Sequence, residues 1–186
     1  MDIFSAFGLS ASAGLNAYIP LLVVALVSKY TDLITLKSPW DTLESWWVIG
    51  LLVVLSVVEF FADKVPAVNH INDGIQTVIR PIAGAILFAG SADVVTDVHP
   101  ILSMILGVLV AGSVHAVKSL AVRPAVTATT GGAGNIPVSV AEDVVSTVLS
   151  IIAIVIPVLI AVSLVVLGAF IVWLIWRRIN RERANA

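Results

Sequence analysis

PVSVAEDVVSTVLSIIAIVIPVLIAVSLVVLGAFIVWLIW, residues Pro137–Trp176, is an apolar run whose charged residues are Glu142 and Asp143 alone. As a single helix it would be ~60 Å long at ~1.5 Å per residue, about twice the hydrocarbon thickness of a bilayer. It therefore forms two spans hinged near Pro157, or its first half is tilted or re-entrant, since proline by itself only kinks a helix. The hinged solution places spans near 137–156 and 158–177.

Working outward, further apolar stretches lie near 4–28, 46–63, 75–92 and 99–118. The first is interrupted by Gly8, Gly14, Asn16 and Pro20, and the second is entered through Trp40, Trp46 and Trp47, residues that favour the headgroup level. Of the 186 residues, 59% are hydrophobic and only 12% charged, and mean hydropathy is +1.08. A soluble domain carries roughly 25% charged residues, and one soluble core of this size cannot bury so much apolar surface. The expectation is a single all-α domain, a polytopic transmembrane helical bundle of about six spans in the lipid bilayer, with a basic tail at 178–186. Five spans plus a re-entrant or interfacial helix is the alternative.

Loop charge supports six spans. With both termini cytoplasmic, the inner joints hold eight basic residues (Lys64, Arg80, Lys118, Arg123, Arg177, Arg178, Arg181, Arg183) against two outside (Lys29, Lys37), the asymmetry of the positive-inside rule. The outer joint Asp93 to Asp97 is acidic. The first residues lack the basic segment of a cleaved signal peptide, so the first span is expected to insert and stay.

Several chemistries are disfavoured. No basic patch with interleaved aromatics suits nucleic acid. The absence of cysteine excludes disulfides, thiolate metal sites and a cysteine nucleophile. His70, His99 and His115 are scattered, and no metalloprotease, serine-hydrolase or phosphate-loop motif occurs. Neither an enzyme nor a metal or other cofactor is expected.

The informative residues are polar groups in apolar surroundings. Glu59 and Asp63 share a helical face below Ser56, with Arg80 or His115 as natural partners and Lys64 as a snorkelling one; they form an interfacial salt bridge or part of an ion or proton path. Asp143 with Ser139, Ser146, Thr147 and Ser150 makes a stripe that lines a wet cavity or bonds helix to helix, and Glu142 points about 100° away. Ser103, Gly107, Ala111, His115 and Ser119 form a small-residue groove for close helix packing. Between Pro66 and Arg80, Val68, Ile71, Ile75, Val78 and Ile79 alternate with Asn69, Asn72, Asp73 and Gln76, an amphipathic pattern suited to lying at the headgroup boundary or to capping the bundle from inside.

Two echoes run through the chain. Gly50–Pro66 and Gly107–Pro124 each carry a serine, an ionisable residue (Glu59, His115), a lysine (Lys64, Lys118) and then proline, as in a degenerate hairpin repeat. AGLNAYIP (Ala13–Pro20) and GAGNIP (Gly132–Pro137) share Gly, Asn, Ile and Pro in order, residues that break helices and furnish binding sites in many transporters. Lys118 and Arg123 before Thr130, Gly131 and Gly132, at the start of a helix, compose a candidate anion cradle.

GLSASAGLNAYIPLL, EFFADKVPAVNHINDGIQTVIRPIAGAI and HAVKSLAVRPAVTATTGGAGNIPVSVAEDV resemble the bacterial membrane family catalogued as domain of unknown function 4126. The resemblance implies a small polytopic inner-membrane protein and transfers no catalytic or binding residue. The functional expectation from the residues is transport or conduction of a small ion or polar solute by a homo-oligomer, along a path using Asn16, Glu59, Asp63, His115, Asn135, Asp143 and Ser146. A non-transporting scaffold or partner subunit is the alternative.

Overall fold

A computed structural model describes residues 3–64, 66–92 and 99–184. The acidic joint Asp93 to Asp97 and the side chains of Val68, Asn69, His70, Arg181 and Arg183 lie outside the described residues. Among the described residues all regular structure is helical: α1 (Ile3–Leu15), α2 (Tyr18–Tyr30), a 3-10 turn (Trp40–Glu44), α3 (Trp46–Ala62), α4 (Pro66–Ala92), α5 (Pro100–Val117), a π turn (Lys118–Val122), α6 (Arg123–Thr130), α7 (Asn135–Val155) and α8 (Pro157–Ala184). Four stretches, 71–91, 100–130, 135–155 and 157–180, are long and apolar enough to cross a bilayer, compatible with a multi-pass membrane protein.

The hinge in the C-terminal run is built by one residue. Ile156 leaves helical geometry (φ −137°, ψ 66°) while its N–H still closes the last turn of α7 on Ile152, 2.8 Å away. Pro157 then opens α8, a position where its missing N–H costs nothing. α8 starts with Ile160 beside Gly8 and reaches Leu167 beside Leu15 and Val114, so it runs back antiparallel to α7.

The stretch 4–28 is not one span. It is two helices of 13 residues each, ~20 Å long and too short for a ~30 Å core. Asn16 makes the break: its Oδ1 accepts from the N–H of Tyr18 (3.1 Å) and of Ile19 (3.0 Å), capping α2 in place of the preceding turn. The chain reverses there. Phe7 packs edge-on against Phe88 near the end of α4, Asn16 meets Asp143 near the start of α7, and Ser28 and Lys29 return to Glu44 just ahead of α3. Thus α1–α2 is a helical hairpin that turns back at Asn16, and α3, α4, α5–α6, α7 and α8 run along the bundle in alternating directions. This added reversal puts α1's start and α8's end at opposite ends of the bundle, not on one face as loop charge suggested.

α1 is the central element, packed on α4, α5, α7 and α8. Small side chains permit this. A Cβ on Gly8 would lie 2.7 Å from the Ala153 Cβ, and one on Gly14 would lie 2.6 Å from the Ala111 carbonyl oxygen. The closest backbone approach joins α4 and α5, where a Cβ on Gly107 would sit 2.3 Å from the Gly84 carbonyl oxygen.

α4 is one 27-residue helix, its amphipathic first half continuous with its apolar second half. Asn72, Gln76 and Arg80 are buried, while Ile71, Ile75, Val78 and Ile82 face outward. In lipid the apolar face of a helix turns away from the bundle when its polar face has partners inside.

Candidate functional site

The tip of the hairpin lands on a buried ionic network. Arg80, fully buried on α4, donates to Glu59 Oε1 of α3 at 2.9 Å and to His115 Nδ1 of α5 at 3.0 Å. A guanidinium only donates, so Nδ1 accepts. The Thr77 hydroxyl donates to the Asp73 carbonyl oxygen at 2.8 Å, so it accepts from His115 Nε2, 3.1 Å away. His115 is therefore held as the neutral Nε2–H tautomer.

A second centre lies one to two turns further along the same helices. Asp63 receives Arg123 at 2.9 Å and the Asn72 amide at 2.7 Å. Glu142 receives Lys118 at 2.8 Å and Arg123 at 3.1 Å. Lys118 also donates to the Leu15 carbonyl oxygen at 2.9 Å, so a charged side chain caps the inward end of α1. At the rim Asn16 donates to Asp143 at 2.9 Å, Lys64 stands 3.7 Å from the same carboxylate, and Arg123 reaches Asp73 at 3.5 Å.

The π turn explains how α5 and α6 deliver both cations. The Arg123 N–H bonds to the Lys118 carbonyl oxygen, five residues back. A turn of that width brings residues five apart to one face, so Lys118 and Arg123 both point inward. Pro124, which lacks an N–H, follows directly and opens no loop. Helix continues to Thr130, and only the turn 131–134 separates α6 from α7. The expected end of the span near 118 is thereby corrected.

The structure gathers Asn16, Glu59, Asp63, His115 and Asp143 into adjoining parts of one network toward the same end of the bundle. It adds residues not singled out as site residues: Arg80, named only as a partner, and Asn72, Gln76 and Glu142. Glu142 is the more buried of the adjacent acids, because the seam of α7 follows Ser139, Glu142, Ser146 and Ser150. Ser146 packs into the seam between α1 and α7. Its hydroxyl lies 2.8 Å from the Ser12 hydroxyl and 3.1 Å from the Ser12 carbonyl oxygen, and Ser12 also meets the Ser150 hydroxyl at 2.7 Å. These groups satisfy each other and stitch α1 to α7. Asn135 stands apart at the end of the bundle, donating to the Thr127 hydroxyl at 2.9 Å.

The anion cradle does not assemble. Lys118 and Arg123 turn into the bundle onto carboxylates, whereas Thr130, Gly131 and Gly132 sit at the exposed turn. Gly131 (φ 62°) and Gly132 (φ 93°) are there because that turn needs left-handed backbone. The two similar sequence joints do converge on common partners: Glu59 and His115 both hold Arg80, and Lys64 and Lys118 sit on the adjacent acids Asp143 and Glu142.

An open pocket of about 490 Å³, lined by Asp73, Ser119, Arg123, Thr127 and Asn135 together with Pro124 and Ala128, shares Arg123 with the second centre. Desolvating each charge costs several kcal/mol, and a well-packed apolar core in place of a buried ion pair is often equally stable.

Comparison with known proteins is sparse. No curated protein and no solved structure matches the chain. A family model described as Domain of unknown function (DUF4126) matches residues 3–177.

Proposed function

The chain thus belongs to a family whose description carries no activity, and we propose from the site that it moves a small ion or polar solute across a membrane. One observation carries this: the broken tip of the α1–α2 hairpin delivers an amide and a helix end onto a buried network of Glu59, Asp63, Glu142 and Asp143 against Arg80, Lys118 and Arg123. Broken helix at depth is tolerated where protein or enclosed water satisfies its backbone, and such breaks frame substrate sites in many transporters. Buried ionisable groups between spans mark ion paths and proton relays. The pocket at Arg123 supplies a mouth on one side.

In this reading the network's end faces the cytoplasm of a bacterial cell, because the Arg177–Arg178 end of α8 lies on that side, and α1 begins on the other. No covalent chemistry is invoked. A homo-oligomer belongs to the same proposal, with α8, exposed from Val162 to Asn180, available to neighbouring copies.

A non-transporting scaffold is favoured by a different observation: Lys118 and Arg123 are fully engaged, and the serine seam is closed on itself. Ser139, fully buried with its hydroxyl 3.4 Å from Asp63, separates the two. The chain has no cysteine, so Ser139→Cys and Ser146→Cys each introduce a unique thiol. Transport requires intermittent water at the network, so a water-soluble thiol reagent modifies the Ser139→Cys variant and spares Ser146→Cys. Equal protection of both supports the scaffold.

A further inference from the structure

Four buried polar atoms on the facing sides of α3 and α4 find no hydrogen-bond partner among the described residues: Ser56 Oγ, Glu59 Oε2, Gln76 Oε1 and Arg80 Nε. Glu59 and Gln76 are each 1% exposed, and Arg80 is fully buried. They occupy one neighbourhood. Ser56 and Glu59 are a turn apart on α3, Gln76 and Arg80 a turn apart on α4, and Glu59 bonds to Arg80 across the seam. The Tyr18 side chain, entering from α2, lies close to Gln76, Glu59 and Arg80.

Glu59 Oε2 and Gln76 Oε1 are acceptors that no donor among the described residues reaches. Both can only accept while the carboxylate is ionised. The other basic atoms nearby are spoken for: Glu59 Oε1 and His115 Nδ1 both receive Arg80, and His115 Nε2 carries the hydrogen given to Thr77. A proton placed on His115 would displace Arg80. A proton placed on Glu59 Oε2 displaces nothing and creates a donor on the seam where Gln76 Oε1 lacks one. Charged and titratable groups around Glu59 are Arg80 from α4, His115 from α5, Lys118 from the π turn after it, Tyr18 from α2 and Asp63 further along its own helix.

We propose that Glu59 Oε2 is a reversible proton-binding site, with Gln76 Oε1 as the acceptor that holds the bound proton. The step is a simple acid–base one: carboxylate plus proton gives carboxylic acid. It converts the neutral Glu59–Arg80 pair into a site with one uncompensated positive charge. Proton arrival is therefore tied to an anion entering or a cation leaving, which links the site to the second centre at Asp63 and Arg123. That coupling rests on the transport reading above; occupancy of the site by a proton does not.

The test is an infrared pH titration of the full chain in lipid films, following the carbonyl stretch of a protonated buried carboxyl. The expected result is a band that grows reversibly as pH falls. It disappears in Glu59→Gln/Arg80→Gln, which stays charge-balanced, and shifts in frequency in Gln76→Leu, where the acceptor is lost. Tryptophan fluorescence checks that each variant is folded. Should the double variant not fold, the Gln76→Leu shift alone carries the assignment. No such band at any pH where the chain stays folded, or a band indifferent to both variants, overturns the proposal. A Glu59 band together with no protein-dependent solute flux sustains the proton site and refutes the transport reading.

Discussion

Replacing Arg80 by methionine removes the donor that ties Glu59 to His115. The guanidinium lies 2.9 Å from Glu59 Oε1 and 3.0 Å from His115 Nδ1. With Arg80 fully buried and Glu59 1% exposed, water does not replace the lost bonds. At 2.9 Å across an effective dielectric of ~20, the attraction forgone is ~6 kcal/mol before desolvation is counted. Arg80→Met leaves a lone buried carboxylate, for which the expected loss is ~3–5 kcal/mol. Glu59→Met leaves a lone buried guanidinium and is expected to cost a similar amount. The double variant strands neither charge and exposes only His115 Nδ1, worth ~1–3 kcal/mol. The two single losses therefore fail to add, by at least ~3 kcal/mol. Unfolding of detergent-solubilised protein by denaturant, read through tryptophan fluorescence, gives all four corners of the cycle. A loss below ~1 kcal/mol for Arg80→Met, the level of an exposed pair, would refute burial of this ion pair as the organising contact of α3, α4 and α5.

Two further outcomes follow from packing. Gly107→Ala sets a Cβ 2.3 Å from the Gly84 carbonyl oxygen and is expected to cost ~1–3 kcal/mol by forcing α4 and α5 apart; Gly50→Ala meets nothing within 4 Å and is expected to gain up to ~1 kcal/mol of helix propensity. Denaturant midpoints measured side by side check the opposite signs. Asn16→Ala removes the cap of α2 and the bond to Asp143, for an expected loss of ~0.5–2 kcal/mol by the same denaturation assay, while Asn16→Asp, which retains a capping oxygen but opposes Asp143, recovers only part of it.

Run length made most helices legible. α3, the second half of α4, α5, α7 and α8 follow from apolar stretches cut by charged joints, and the hinge at Pro157 follows from a block too long for one bilayer. What stayed hidden shares a physical cause: hydropathy reports how apolar a segment is, not which way it faces or turns. Asn16 and Pro20 signal an interruption, but only contacts across the bundle tell a kink from a reversal. The polar residues of α4 look interfacial until Glu59, Asp63 and His115 are seen waiting on neighbouring helices. Glu142 and Asp143 are adjacent, so a shift of one residue in the helical face exchanges their roles. The π turn has a local cause, Pro124, yet its effect of aiming both Lys118 and Arg123 inward depends on carboxylates distant in sequence. Five of the expected path residues nevertheless converge, because ionisable groups between apolar spans have few places to go except toward each other.

Solute flux through purified protein in sealed liposomes tests the central claim most directly. The panel comprises protons, monovalent and divalent cations, halide, phosphate and small neutral polar solutes, compared with protein-free vesicles. Asp143→Asn keeps an acceptor for Asn16 but removes the charge beside Lys64. The account predicts protein-dependent movement of at least one solute, sharply reduced in Asp143→Asn despite an unchanged fold. Vesicles containing wild-type protein that pass every solute no faster than empty ones would contradict it.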